Sequence, residues 1–239
     1  MSSKETGAKA ATQAAPAEDV RFVERLNDFM HANRKLFLAI GVAVLVIVAG
    51  LGIYSVVSTD LVAKSTVALE NLEKRFDGWT AVEEAEKSAK GAEIVAEADD
   101  IIAKYGKRYA AARAAIIKAE VLAGTSDAAG AEKAYAFAAD NYPKSHIAPV
   151  ALANAAAIAE DRGDSDAALA YLEKAMSGYP SAPGSGRTLL SMGRIYESTK
   201  QYDKAMESYT RLIATGAESD WTKIAHDRII LLKSLGLVK

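Results

Sequence analysis

From Leu36 to Val57 the chain runs LFLAIGVAVLVIVAGLGIYSVV, 22 residues without a charge. As an α-helix rising 1.5 Å per residue, this stretch is about 33 Å long, enough for a hydrocarbon core of about 30 Å. A core helix of a water-soluble protein keeps a polar face, and this one has none. A cleaved signal peptide would carry a shorter apolar run, about 7–15 residues, close to the start of the chain. Here 35 residues come first, and no small-x-small cleavage site follows. The stretch is expected to be an uncleaved signal anchor, a single transmembrane helix over 36–57.

The flanks orient it. Arg21, Arg25, Arg34 and Lys35 precede the stretch, whereas the first basic residue after it is Lys64, beyond Asp60. The positive-inside rule then keeps the N-terminus in the cytoplasm and sends everything after about residue 58 across the membrane. In a diderm bacterium that places the remainder in the periplasm, anchored in the inner membrane. Residues 1–17 are small and polar with little to bury, so a disordered tail is expected. Over 18–35, Phe22, Leu26, Phe29 and Met30 fall on one helical face. This juxtamembrane amphipathic helix either lies on the inner leaflet or docks a membrane partner.

After the span the chain repeats itself. Tyr105, Tyr142 and Tyr179 are 37 residues apart, as are Ala131, Ala168 and Ala205, and Pro143 and Pro180 follow the last two tyrosines. GDSDAALAYLEKAMSGYP (163–180) aligns without gaps on KQYDKAMESYTRLIATGA (200–217). Such spacing is that of antiparallel helix pairs. A small Ala sits where helices approach closely, and a bulky Tyr135, Leu172 or Tyr209 follows four residues later on the same face. Pro ends the second helix, and Asp166 and Asp203 are placed to cap it at its start. One pair cannot bury its apolar face alone, so neighbours must stack. Half of the residues are apolar but only 7% are aromatic and 5 are proline, which favours all-α architecture over a β-sandwich or barrel.

These units resemble tetratricopeptide repeats. In 186–217, Leu189, Met192, Gly193, Tyr196, Ala205 and Tyr209 stand where that family has its signature residues. The units 149–180 and 112–143 match at Leu152, Ala156, Gly163, Ala168 and Pro180, and at Ala119, Ala131, Tyr135, Ala138 and Pro143. The period of 37 exceeds the family's usual 34, implying longer helix ends or longer links. The expected layout is an exported repeat domain over 58–239. It comprises a divergent helix pair at 58–105 broken at Asp77-Gly78, repeats at about 109–143, 146–180 and 185–217, and a capping helix at 221–235. The plan of amphipathic helix, single span and exported repeats, with the stretch VRFVERLNDFMHANRKLFLAIGV (20–42), is similar to the ancillary-subunit family of the bacterial Sec translocon. That resemblance implies a periplasmic helper contacting translocon subunits, chaperones or exported clients. Exported repeat proteins of envelope assembly or cell division share the same repeats, and a homo-oligomer through the repeats or the span is a structural variant.

Catalytic chemistry finds no carrier. With no Cys there is no disulfide, thiolate metal site or cysteine nucleophile. His31, His146 and His226 have no metal-ligand spacing, and neither G-x-S-x-G nor a phosphate-cradling loop occurs. No enzyme activity, cofactor or metal is expected. A formal net charge of -2 argues against a nucleic-acid partner. What the family resemblance implies instead is a concave groove lined by first helices. Its residues would be Arg113, Ile116 and Glu120 in the first unit, Val150, Ala153, Ala157 and Glu160 in the second, and Arg187, Leu190, Arg194 and Glu197 in the third. Either the small residues beside Arg187 and Arg194 admit an acidic segment, or they serve helix packing while the arginines pair with Glu160 and Glu197.

Overall fold

The computed structural model describes residues 17–216 and 219–239. Most of the tail expected to be disordered, and Ala217 at the end of the third repeat, lie outside the described residues. Among the described residues there are ten α-helices and no strand: α1 Ala17–Ala32, α2 Arg34–Thr80, α3 Glu84–Tyr105, α4 Tyr109–Gly124, α5 Ala128–Asn141, α6 Ile147–Asp161, α7 Ser165–Gly178, α8 Ser185–Ser198, α9 Tyr202–Ala214 and α10 Asp220–Ser234. They fall into two compact units, one up to Thr59 and one over Asp60–Lys239. In the first unit Phe22, Phe29 and Met30 of α1 are exposed, and no residue from Leu36 to Val57 is buried. One apolar helix near the N-terminus is thus long enough to cross a membrane.

The expected break at Asp77-Gly78 does not occur, because α2 continues to Thr80. Glycine inside a helix costs only about 1 kcal/mol, and packing just beyond it outweighs this. Trp79 is buried, stacks on Phe76 at 5.9 Å and donates its indole N–H to the Lys87 carbonyl at 2.8 Å. Arg75 reaches across to Glu93 at 2.9 Å and Glu97 at 2.8 Å on α3. These contacts make the C-terminal part of α2 and α3 an antiparallel pair.

The pairs α4/α5, α6/α7 and α8/α9 follow. Ala131, Ala168 and Ala205, 37 residues apart, have no exposed surface, and Tyr135, Leu172 and Tyr209 are buried one turn beyond them. Gly193 shows why the close approach needs small residues: a Cβ there would lie 2.3 Å from the Tyr209 ring.

Each of these three pairs turns in the same way. Ser126, Gly163 and Lys200, again 37 apart, have φ of 65°, 79° and 61°. Their amides donate to the carbonyls of Ala123, Glu160 and Glu197, and the next amides, of Asp127, Asp164 and Gln201, donate to Leu122, Ala159 and Tyr196. That is the Schellman closure, which satisfies the carbonyls left open at a helix end. The residue after the turn is also the N-cap of the second helix. Asp127 accepts from the Gly130 amide at 2.9 Å and Asp164 from Ala167 at 3.0 Å. The expectation that Asp166 and Asp203 cap is therefore corrected: both lie in the first helical turn, where their charge meets the positive end of the helix.

The periodic tyrosines have a different task at the opposite edge, where units join. The Tyr142 hydroxyl donates to the Gly106 carbonyl at 3.2 Å, and the Tyr179 hydroxyl to the Pro143 carbonyl at 2.8 Å. Each tyrosine thus ties its link to the equivalent link one unit earlier.

Candidate functional site: the cleft between α6 and α8

α6 is rich in alanine because one face must pack closely. Ala148, Ala151, Leu152, Ala155, Ala156 and Ala159 are buried. The remaining face carries Val150, Ala153, Ala157 and Glu160, opposite Arg187, Ser191 and Arg194 of α8. Between them lies a cleft of about 370 Å³, lined also by Leu172, Ala175 and Met176 of α7 and by Tyr179 and Ala182–Gly184 of the α7–α8 link. Val150 is 54% exposed in its wall.

Six of the expected groove residues are therefore brought together: Val150, Ala153, Ala157, Glu160, Arg187 and Arg194. The other five are not, each for an identifiable reason. Arg113 is taken up by Glu73 of α2 at 3.2 Å and by Glu120 at 3.4 Å. Ile116 is buried in the core. Burial, opposed by Arg113, holds the Glu120 carboxyl above its ordinary pKa. Leu190 is half-buried against the core formed with α9 and α10. Glu197 accepts from Arg228 Nε at 3.0 Å and from the Tyr209 hydroxyl at 3.1 Å. Burial, then the Glu197 charge, raises the Tyr209 pKa.

The two roles considered for the arginines separate. Arg194 bonds Glu160 at 2.9 Å, but Glu197 takes neither Arg187 nor Arg194. Arg187 is exposed and has no ion pair among the described residues. The cleft thus offers apolar walls, one committed cation and one free cation.

A further row was missed. Arg228 bonds Glu197 as Arg194 bonds Glu160, and Glu197 lies 37 residues after Glu160. That match sets α10 in register with α8, with Trp221, Ile224 and Leu231 at the stations of Arg187, Leu190 and Glu197. Trp221 lies 3.3 Å from where a Gly186 Cβ would stand. It is 38% exposed, Ile224 45% and Leu231 39%. The terminal helix expected to cap the array thus carries an open apolar row. The signal was present in the sequence as the 34-residue offset from Arg194 to Arg228. Among the described residues no three His, Asp or Glu are grouped to hold a metal, and His31, His146 and His226 lie on separate elements.

Stacked antiparallel helix pairs with a small–large repeat and an open first-helix cleft define a helical-repeat protein of the protein-binding kind. The tetratricopeptide repeat-like domain profile matches residues 27–229, and the chain belongs to that family. It is also similar to a TPR repeat-containing protein of Treponema pallidum (strain Nichols), 24% identical over an alignment covering 90% of this chain and 96% of that protein. The profile match spans the apolar stretch as well as the repeats.

Proposed function

We propose that the protein is a single-pass scaffold of the bacterial inner membrane. Residues 36–57 cross the bilayer with the N-terminus in the cytoplasm, and the repeat unit stands in the periplasm beside the Sec translocon, passing exported proteins to chaperones. Its α6–α8 cleft takes a segment with apolar side chains and at least one carboxylate. The observation that carries the binding chemistry is Arg187, an exposed cation without an ion pair among the described residues, beside an apolar cleft. The apolar stretch Leu36–Val57, exposed throughout, supports the tether, which raises the local concentration of the repeats near membrane partners. No catalytic role is proposed.

The test is photocrosslinking in cells from a reactive side chain placed at Ala157, followed by gentle solubilisation and mass spectrometry. Channel subunits and periplasmic chaperones should be recovered, and Arg187→Glu should reduce that recovery. Recovery unchanged by Arg187→Glu would remove the cleft from the reading. Recovery of cell-wall or outer-membrane assembly factors instead would remove the translocon.

A further inference from the structure

The repeat unit is electrically lopsided. Antiparallel pairing puts every link between units on one edge and every turn within a pair on the other. The turn edge is predominantly acidic, with Glu83, Glu84 and Glu86 at the start of α3, then Asp127, Asp161 and Asp164, against Arg162 and Lys200. The first two links are basic: Lys104, Lys107 and Arg108 lie around one, and Lys144 in the next. From Ile101 to Ala119, and again from Asn141 to Ala159, the chain has no acidic residue. None of these four cations has an ion pair among the described residues. The adjacent Asp140 is already engaged by Lys174. Between the two links lies a cleft of about 440 Å³ lined by Lys107, Arg108, Tyr109 and Lys144. Tyr109 is 56% exposed and stacks on His146 at 5.8 Å.

This edge is also where α2 enters the unit. The Lys64 ammonium is held above its ordinary pKa chiefly by its hydrogen bond to Asp60 and that carboxylate's charge, and it also feels the Tyr105 phenol at the first link. Lys64 is the seventh residue after Val57, the last apolar residue of the stretch read as the span, a reach of at most about 25 Å. Exposed Lys107 and Lys144 and half-buried Arg108 beside an exposed tyrosine are the composition that settles at a membrane–water interface.

We infer that the link edge carrying Lys107, Arg108 and Lys144 is a docking surface for anionic phospholipid headgroups, which holds the repeat unit against the bilayer that anchors it. The inference rests on the membrane reading above. It is testable because the chain has no native cysteine, so one introduced thiol reports one place. Full-length protein labelled with a fluorophore at Ser181→Cys, on the link edge, or Ser198→Cys, near the turn edge, is reconstituted into vesicles containing a headgroup-level quencher. One set is phosphatidylcholine, the other an equal mixture with phosphatidylglycerol. Quenching at position 181 should rise with phosphatidylglycerol and fall with added salt, while position 198 stays unquenched. Each cation near an anionic surface is worth about fivefold in population. Lys107→Glu, Arg108→Glu and Lys144→Glu together should therefore lower the docked-to-free ratio by at least about a hundredfold. The corresponding glutamine set should fall between. Equal quenching in the two lipids, or quenching unaltered by either set with helical content preserved, would overturn the inference. Such a result in vesicles that retain the protein at high salt leaves the anchor intact. Protein that washes off at high salt removes both.

Discussion

Ser126 and Lys200 occupy a backbone conformation that glycine holds at the equivalent turn. Their φ values of 65° and 61° lie in the left-handed region, as does the 79° of Gly163. A side chain there crowds its own carbonyl, at roughly 1–2 kcal/mol. Neither side chain offers compensation: both are exposed and make no side-chain hydrogen bond among the described residues. Replacing either with glycine removes the crowding but adds freedom to the unfolded chain, which opposes folding by about 0.4–1 kcal/mol. The net expectation is a stabilisation of about 0.5–1 kcal/mol for Lys200→Gly and for Ser126→Gly. The two turns share no contacts, so the gains should add. For a domain of this size each kcal/mol moves Tm by about 2–4 °C, so the double variant should melt about 2–8 °C higher. Gly163→Ala should do the reverse, losing about 1 kcal/mol. Full-length protein in detergent, melted by circular dichroism, gives the global value. Because repeat arrays can open piecemeal, exchange of the Gln201 and Asp164 amides gives the local one, since both close these turns. If Lys200→Gly lowers Tm, or Gly163→Ala leaves it unchanged, positive φ is not what limits these turns and the reasoning fails.

Gln201 begins α9 without a side-chain cap, whereas Asp127 and Asp164 cap the equivalent helices, so Gln201→Asp should raise stability by about 1 kcal/mol in the same melt. Gly193→Ala must displace a Tyr209 ring only 2.3 Å from the new Cβ. Overpacking of roughly 1–3 kcal/mol should exceed the helix-propensity gain of about 1 kcal/mol, and chemical denaturation should show a net loss. Tyr179→Phe, which removes the hydroxyl bonded to Pro143, should cost about 0.5–1.5 kcal/mol and speed amide exchange in α8 more than in α4. The raised pKa of Glu120 means the folded state holds that proton more tightly than the unfolded one. Its contribution is therefore best at acid pH and declines as pH climbs from the ordinary carboxylate value through the raised one. Glu120→Gln should thus gain stability relative to the parent at neutral pH, with the gain vanishing toward acid pH in denaturation midpoints measured across that range.

What could be read from the sequence was whatever depends on period. Ala131, Ala168 and Ala205 recur because helices must touch there, and a 37-residue spacing of small residues is visible without coordinates. Tyr142 and Tyr179 were visible for the same reason, although their bonds to Gly106 and Pro143 were not. A hydroxyl reaching back 36 residues depends on the rotation between stacked units. Competition between local rules was harder to foresee. Gly78 weakens a helix, but Trp79 next to it buries a large ring and carries α2 onward. Asp166 and Asp164 are both good caps, and the Schellman turn decides which one sits at the cap. On the groove face the residue types were legible while their availability was not. Arg113, Arg194 and Arg228 each pair with a glutamate on another first helix, on α2, α6 and α8 respectively. Arg187 alone of the expected groove arginines lacks such a partner among the described residues. A list of residues on a helix face does not distinguish a cation that ties two units together from one that faces an open cleft.

The cleft has its origin in the links. Three residues, 106–108, join α3 to α4; five, 142–146, join α5 to α6; six, 179–184, join α7 to α8. The turns within the three pairs are three residues each, and as the links lengthen the first helices α4, α6 and α8 shorten, from 16 to 15 to 14 residues. In the last link Pro180 and Pro183 restrict the backbone and disfavour helical geometry in the residues before them. α8 does not simply continue the packing of α6, and the buried core divides at the same place. One cluster reaches Ala155 on α6 and Ala175 on α7, and the other begins at Ala156. Closer seating of α8 would bury more apolar surface at Val150, Ala153 and Ala157, worth about 25 cal/mol per Å². It would also close the space beside Arg187. The array is thus least continuous at the station where its first-helix face is open.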